Sequence, residues 1–473
     1  MKQLIYICIL SVLTSTFTAC NKLVEGLNDN PNQPSETSPD LLLTGLQLGA
    51  VTLHMGEMSR DAGLLNGYYR GVNRQYLAMD NYMIINADFN GHWADAYRVI
   101  RNAVILDELA AAENREGIIV GISKVMAAHT FGTITALWGD VPFQEAGQYD
   151  EYNNPSYDPQ GEVYAGIQAM LDQAITALES PIGRPVSNAD LFFDGDPQQW
   201  LKVAHTLKAR FYLHVGDYEK AYEQAMLGMN AASDTWKADF FMTELQTENL
   251  YEQFFRGNRA EDLESNGGYF VDLLSPTGSA YRGNAKTNET ARFNYLVNTV
   301  GTRSINNTTA DGAFGATAPY NLLTYEENLL ILAESAFHVE GFDKALTYLN
   351  TLRAYYDTGA HIGTAYRNAT QYEYAPYVAA DFETGGMASV NGLTRDQALL
   401  REILEEKYIL FYASVEGFID MRRTQSESYA LPIPPNTGDQ LPARFLYPQT
   451  ELDRNINIPS HVPNLYDKTP INQ

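Results

Sequence analysis

The sequence has very few cysteines, and this scarcity limits how the protein can be stabilised. Cys8 and Cys20 are the only two among 473 residues. Residues 1–19 have the pattern of a secretory leader, with Lys2 followed by an apolar stretch, so cleavage would remove Cys8. The mature chain could then form no internal disulfide, and we expect its stability to come from a large apolar core.

The sequence is also poor in positive charge. It contains 32 lysines and arginines against 58 aspartates and glutamates, which gives a formal net charge of −26. Nucleic acids and anionic lipid surfaces attract basic proteins, so we expect this protein to bind neither of them through its own charge.

The common enzyme signatures are missing from the sequence. It has no G-x-S-x-G, no H-E-x-x-H, no P-loop and no dinucleotide-binding glycine pattern. Its eight histidines are scattered, and the closest two, His205 and His214, do not have metal-ligand spacing. We therefore expect no catalytic residues, no metal site and no cofactor.

Only one segment behind the leader is apolar enough to cross a membrane. Residues 118–138 are nearly all apolar, but Lys124 and His129 lie near the middle of the segment. Both side chains are costly in hydrocarbon, so the sequence favours a buried helix over a transmembrane one.

The end of the leader predicts a lipid anchor. Thr18 and Ala19 precede Cys20 in a pattern that resembles a bacterial lipobox. Cleavage before Cys20 and acylation of its thiol would attach the chain to a membrane through residues 20–38, with simple secretion as the alternative. Residues 28–34 in this tether have the composition of a capped turn, and their spacing does not match a calcium-binding EF-hand loop.

The strongest helical pattern runs from residue 322 to residue 356. Apolar side chains recur there at steps of three and four, which predicts two amphipathic helices separated by Gly341. This pattern is typical of a tetratricopeptide-like hairpin, which needs partner hairpins to bury its apolar face. Residues 207–229 repeat the pattern around Gly216 and are one candidate partner.

We predict a mostly α-helical fold built on about four tetratricopeptide-like helical pairs. The predicted pairs are 93–136, 160–214, 218–232 with 322–339, and 342–356 with 396–424. Residues 236–319 and 360–392 lack a lasting helical period and are predicted to form long loop-rich insertions on one face. Loops of this kind on a rigid scaffold often carry binding residues.

Several motifs, taken together, indicate a family. The decapeptide LWGDVPFQEA at 137–146 is the clearest, and further motifs occur at 195–210, 405–423 and 431–451. In this order they resemble the SusD/RagB family of outer-membrane nutrient-binding lipoproteins of Bacteroidetes. Asp140 and Glu145 in the decapeptide are predicted to be structural, because Pro142 stops the helix and a nearby carboxylate can cap the free backbone donors of the turn.

The resemblance implies a domain organisation and a function. Residues 39–473 would form a single SusD-like domain that binds an oligosaccharide outside the cell. The domain would be anchored to the outer membrane by its lipid and would cover a SusC-like, TonB-dependent transporter that imports the ligand. A peptide-binding member of the same family and a surface glycoside hydrolase on the same scaffold are the alternatives.

Two loop clusters have the composition of a sugar-binding site. Sugars are bound by exposed aromatic rings, with amide, carboxylate and arginine groups bonding the hydroxyls. The predicted ligand residues are Tyr69, Arg70, Asn73, Arg74, Tyr76, Tyr82, Tyr269, Tyr281, Arg282 and Asn284. The alternative is that each tyrosine only packs its loop onto the scaffold, in which case residues 366–377 are the next candidate. Trp93 has helical spacing with apolar neighbours and is predicted to belong to the core.

Overall fold

The chain folds mainly into α-helices. The computed structural model describes residues 37–180, 186, 188–241, 248–257, 259–298, 304–307 and 311–473. The predicted leader, Cys20 and the 28–34 turn lie outside these residues. Within them the helices are α1 (Pro39–Met55), α2 (Glu57–Leu65), α3 (Arg74–Asp80), α4 (Asn90–Ala112), α5 (Ile118–Trp138), α6 (Gln160–Glu179), α7 (Pro197–His214), α8 (Tyr218–Ala225), α9 (Leu250–Arg256), α10 (Tyr269–Leu274), α11 (Thr290–Leu296), α12 (Tyr325–Val339), α13 (Phe342–Asp357), α14 (Ala379–Phe382), α15 (Arg395–Leu410), α16 (Glu416–Thr424) and α17 (Gln449–Arg454).

The strands are short and connect loops that are distant in sequence. They are β1 (Arg70–Gly71), β2 (Trp236–Ala238), β3 (Leu263–Glu264), β4 (Thr287–Asn288), β5 (Tyr320–Leu323) and β6 (Glu373–Tyr374). Each forms one antiparallel two-stranded pair, β1 with β3, β2 with β5, and β4 with β6. The pairs fasten the insertions to each other and to the helical scaffold.

The predicted helical fold is confirmed. Successive helices pack side by side, α4 on α5, α5 on α6, α6 on α7, α7 on α8, α8 on α12 and α12 on α13. The pairing of α8 with α12 bridges the long insertion, as the sequence predicted from the two glycine turns. In the last predicted pair, α15 packs on both α12 and α13, so it completes the hairpin as a third helix.

Some predicted element boundaries were wrong. The first helix of the 322–356 hairpin begins at Tyr325, because Leu322 and Leu323 belong to β5 and the Thr324 side chain accepts a hydrogen bond from the N–H of Glu327 as the N-cap. The loop predicted to carry the first cluster, Tyr69 to Tyr82, contains helix α3. The insertion contains short helices as well, all too brief for a helical period to stand out in the sequence.

Helix α5 is buried inside the protein. Among the described residues it is the one helix long and apolar enough to span a membrane, and 83% of its most apolar window is buried. Lys124 pairs with Asp107 of α4 at 3.1 Å, which allows a charge near the middle of this helix. The apolar core around α5 includes Trp93 at 6% exposure, as predicted.

The decapeptide motif joins two distant parts of the chain. The indole N–H of Trp138 donates to the carbonyl of Leu446 at 2.7 Å, and Arg444 bonds the carbonyl of Trp138. The Asp140 carboxylate accepts the N–H of Gln160 at 2.8 Å, and the Glu145 carboxylate accepts the N–H of Ser156 at 2.6 Å. Both carboxylates therefore bond backbone donors, which confirms their structural role.

Candidate functional site

Side chains from three distant segments meet beside the first predicted loop cluster. The Arg70 guanidinium donates to the Asp80 carboxylate at 2.9 and 2.8 Å. The Asn436 amide donates to the same carboxylate at 2.9 Å, and the Asn436 backbone N–H donates to the hydroxyl of Tyr82 at 2.9 Å. The ring of Tyr466 lies 6.5 Å from that of Tyr82 in an edge-to-face arrangement. We call these five residues the outer patch.

Tyr82 is held in an unusual conformation at the centre of the outer patch. Its φ of 54° lies in the left-handed region, which costs a residue with a Cβ about 1 kcal/mol or more. Burial of part of its ring raises the pKa of its hydroxyl to about 12, so the hydroxyl stays protonated at neutral pH. Next to it, the side chains of Met83 and Ile85 are 65% and 61% exposed. Strained backbone beside exposed apolar groups is a feature of binding sites.

The outer patch has the chemistry needed for a neutral sugar. Tyr82 and Tyr466 provide partly exposed aromatic surface, and Arg70 and Asn436 provide polar groups at its edge. The two charges in the patch, on Arg70 and Asp80, neutralise each other. A ligand is therefore not required to carry charge, and its hydroxyls can bond in the plane of the rings.

Asn73 and Arg74 lie at the exposed start of α3, the helix that ends at Asp80 of the outer patch. The Asn73 side chain accepts the N–H of Arg74 and caps the helix. Arg74 donates to the buried Asp262 carboxylate at 3.0 Å, although its side chain is 47% exposed. Both residues remain accessible and stay in the predicted site.

The structure does not support three of the predicted tyrosines as ligand platforms. Tyr69, Tyr76 and Tyr269 are exposed by only 0%, 1% and 8% of their surface. Tyr69 packs on Tyr412 with ring centroids 5.5 Å apart, and Tyr269 packs on Tyr408 at 5.8 Å. Tyr69 and Tyr269 are covered by these rings near the end of α15, and Tyr76 packs edge-to-face on Phe254 of α9. Each ring therefore packs its segment onto the scaffold, as in the alternative interpretation.

Arg282 is also unavailable to a ligand, because it lies at the centre of a buried ionic cluster. Its guanidinium donates to Glu289 at 2.6 Å, to Glu406 at 2.7 Å and to Glu402 at 2.5 Å, with Glu405 at 3.3 Å. The cluster joins the insertion to α15. The Arg282 side chain is thus buried and paired with carboxylates of the protein, an arrangement that favours a structural role over the predicted ligand contact.

The pKa values of two glutamates in this cluster are shifted in opposite directions. Burial raises the pKa of Glu405 to about 7. Burial also opposes ionisation of Glu406, but Arg282 and Arg292 lower its pKa to about 2. Glu406 therefore stays charged between two guanidinium groups, while Glu405 is partly protonated at neutral pH.

Tyr281 and Asn284 lie apart from the outer patch, beside the 366–377 loop. Tyr281 is half-buried, and its hydroxyl accepts the N–H of Glu289 at 3.3 Å. The Asn284 amide donates to the hydroxyl of Tyr377 at 2.8 Å, next to the pairing of β4 with β6. The second predicted cluster is therefore split, with Tyr269 near the first cluster and these two residues near the next candidate region.

Sequence analysis missed Asp80, Asn436 and Tyr466 as members of the outer patch. Asp80 lies within the first predicted loop cluster, between Tyr76 and Tyr82, and Asn436 ends the proline-rich LPIPPN segment, so both lie in segments already singled out. Tyr466 lies in the last part of the chain, where no pattern connects it to residue 82. In the described part of the chain, no group of three or more His, Cys, Asp or Glu side chains could hold a metal ion.

The chain was compared with known families and proteins. A family model, SusD-like, described as "Starch-binding associating with outer membrane", matches residues 31–448. No curated protein matches the chain.

Solved structures show a similar fold. The chain is similar to a SusD/RagB family protein from Bacteroides thetaiotaomicron, with a TM-score of 0.69 at 20% identity over 92% of this chain and 99% of that one. It is similar to a SusD homolog from Bacteroides fragilis, with a TM-score of 0.64 at 20% identity over 93% and 100%. A chitin-binding SusD homolog from Flavobacterium johnsoniae has a TM-score of 0.64 at 15% identity over 91% and 98%.

At these identities the solved structures establish a shared fold. The family model covers most of the chain, including the decapeptide motif and the outer-patch residues up to Asn436. The chain therefore belongs to the SusD-like family, whose members are binding proteins associated with the outer membrane.

Proposed function

We propose that this protein binds a neutral oligosaccharide at the outer patch, on the outside of the cell. It is anchored in the outer membrane by acylated Cys20 and delivers the sugar to a SusC-like, TonB-dependent transporter. The match of residues 31–448 to a starch-binding, outer-membrane family carries this proposal. A relative described as chitin-binding is consistent with a glycan ligand.

The geometry of the outer patch favours binding over hydrolysis. Glycoside hydrolysis uses two carboxyl groups on opposite sides of the bond that is cleaved. In the outer patch the Asp80 carboxylate already accepts hydrogen bonds from Arg70, Asn436 and the N–H of Gly71. A carboxylate with these partners holds a loop in place and is poorly suited to transfer a proton.

The transporter partner can be tested by purification. We expect affinity purification of the full-length protein from detergent-solubilised outer membranes to recover a large TonB-dependent β-barrel in a near-stoichiometric amount. The Arg98→Ala variant, altered at an exposed ion pair, should recover the same partner. Purification of the protein alone, in a detergent that preserves other transporter complexes of the same membrane, would contradict delivery to a transporter.

The lipid anchor can be tested separately. Cys20→Ala removes the thiol that is acylated, so we expect the protein to move from the membrane pellet to the soluble fraction. Immunoblots of the two fractions measure this change, and Cys8→Ala is the matched control because the leader contains that residue. The anchor proposal fails if the Cys20→Ala variant remains in the pellet at the level of the wild type.

A further inference from the structure

An open cleft lies beside helix α17. Its volume is about 410 Å³, which is within the usual range for sites that bind small molecules. The start of α4, the segment that follows the decapeptide motif and α17 itself form its walls. None of the five outer-patch residues lines it. We call it the α17 cleft.

Hydrogen bonds join the walls of the α17 cleft to each other. The N–H and the hydroxyl of Thr450 donate to the side-chain oxygen of Asn90, at 3.1 and 3.3 Å. The Asn455 amide donates to the carbonyl of Pro155 at 3.0 Å. These bonds fix the three walls, so a ligand would not have to order them on binding.

Glu451 presents a fixed carboxylate with one open oxygen to the cleft. Its Oε2 accepts the hydroxyl of Tyr157 at 2.9 Å and the amide of Asn455 at 3.0 Å. Its Oε1 forms no hydrogen bond in the described part of the chain, and this oxygen is not shielded from solvent. An N–H group of a ligand can therefore reach Oε1 while the other two bonds hold the carboxylate in place.

Arg454 lies one helical turn after Glu451 and is exposed at the cleft. Among the arginines that the structure describes, Arg454 alone forms neither a hydrogen bond nor an ion pair with the protein. It does not pair with Glu451, although the two are three residues apart on α17. An exposed pair at this spacing would contribute less than about 1 kcal/mol, so a ligand can bond both groups.

The ring of Tyr149 supplies apolar surface to the cleft. It is 45% exposed. The Arg101 guanidinium lies 5.8 Å from the centre of this ring and also donates to the carbonyl of Gly147, which holds the segment in place. An apolar or aromatic group of a ligand can therefore pack on an ordered ring.

The two open charges limit the chemistry of the ligand. A neutral molecule would take both charges out of water and supply no counter-charge. An anion would meet the Glu451 carboxylate beside Arg454, and a cation would meet the Arg454 guanidinium beside Glu451. A molecule that carries one charge of each sign complements both groups.

We propose that the α17 cleft binds a free amino acid with an apolar side chain, as a zwitterion. Its ammonium group donates to Oε1 of Glu451, and its carboxylate accepts hydrogen bonds from the Arg454 guanidinium. Its side chain packs on the ring of Tyr149. This site is separate from the outer patch and does not rest on the proposed binding of sugars.

Titration calorimetry with three ligands tests the proposal on the unchanged protein. Phenylalanine carries both charges, N-acetylphenylalanine lacks the ammonium group, and phenylalanine amide lacks the carboxylate. We expect phenylalanine to bind, and each blocked form to bind at least tenfold more weakly.

Two variants assign each charge of the ligand to its partner. Arg454→Gln should bind phenylalanine at least tenfold more weakly and should no longer distinguish it from its amide. Glu451→Gln should show the same loss and should no longer distinguish phenylalanine from its N-acetyl form, while its side-chain oxygen can still accept the hydroxyl of Tyr157. Asp453→Asn is the matched control, because it removes a charge from an exposed residue of the same helix that does not line the cleft. It should bind phenylalanine as the wild type does.

Three results would overturn the proposal. They are no binding of phenylalanine to the wild type, equal binding of the blocked forms, and unchanged binding by a folded Arg454→Gln or Glu451→Gln variant. The comparison of the three ligands needs no variant, so it decides the question even if a variant does not fold. Failure of the outer patch to bind an oligosaccharide would leave these readouts unaffected.

Discussion

Replacing Arg282 with Met is expected to lower the free energy of unfolding by about 3–5 kcal/mol. This is the cost of removing one partner from a buried ion pair, because the charges left behind lose their counter-charge and remain out of water. Arg282 bonds Glu289, Glu402 and Glu406 at 2.7 Å or less, and its side chain is 2% exposed. Arg292 still contacts Glu406 in the variant, but Arg353, at 3.7 Å, is farther from Glu402 than Arg282 is.

Urea denaturation followed by circular dichroism measures this effect. Arg98→Met is the matched control, because the ion pair of Arg98 with Asp95 is exposed on both sides and should contribute less than about 1 kcal/mol. The experiment also separates the two roles considered for Arg282. A ligand residue would lose sugar affinity with little change in stability, whereas a structural residue loses stability first. Unchanged stability of Arg282→Met would therefore contradict the role assigned here.

The helical scaffold could be predicted from sequence because it depends on local periodicity. The hairpin of α12 and α13 shows its apolar stripe and its turn at Gly341 within 35 residues. The same spacing of apolar residues around a glycine identifies α7 and α8. The start of α12 was missed because residues 322 and 323 have the same apolar character in a strand as in a helix. Their pairing with β2, more than 80 residues earlier, decides between the two.

The site could be predicted only in part, because exposure is a tertiary property. Tyr69 and Tyr82 lie in the same loop-rich stretch and look alike in sequence, but α15 and its neighbours cover Tyr69 and leave Tyr82 partly open. Arg282 lies in a loop with the composition of a sugar-binding site, but the carboxylates that it bonds on α15 are about 120 residues away in the sequence. Asn436 and Tyr466 join the site from still greater distances, which no local pattern can reveal.

Replacing Tyr82 with Ala is expected to weaken oligosaccharide binding at least tenfold, a loss of about 1.4 kcal/mol. The substitution removes the ring that would stack on a sugar and the hydroxyl that accepts the N–H of Asn436. Tyr466→Ala removes the neighbouring ring and should have a similar effect. Because the two rings contact each other, with centroids 6.5 Å apart, their effects are coupled, and we expect the double variant to lose at least as much affinity as either single variant.

Calorimetry with starch-derived and chitin-derived oligosaccharides measures the affinity, and circular dichroism checks that the helices are retained. Tyr76→Phe is the matched control. Its ring is buried in the wild type, and the substitution removes only a hydroxyl bonded by Arg60, so sugar affinity should not change.

The glycan-binding proposal predicts that the wild type binds at least one of these sugars. If the wild type binds and the double variant binds equally well, the sugar contacts another surface. The loop at 366–377, where Tyr366 and Tyr372 are partly exposed beside Tyr281 and Asn284, is then the surface to vary next.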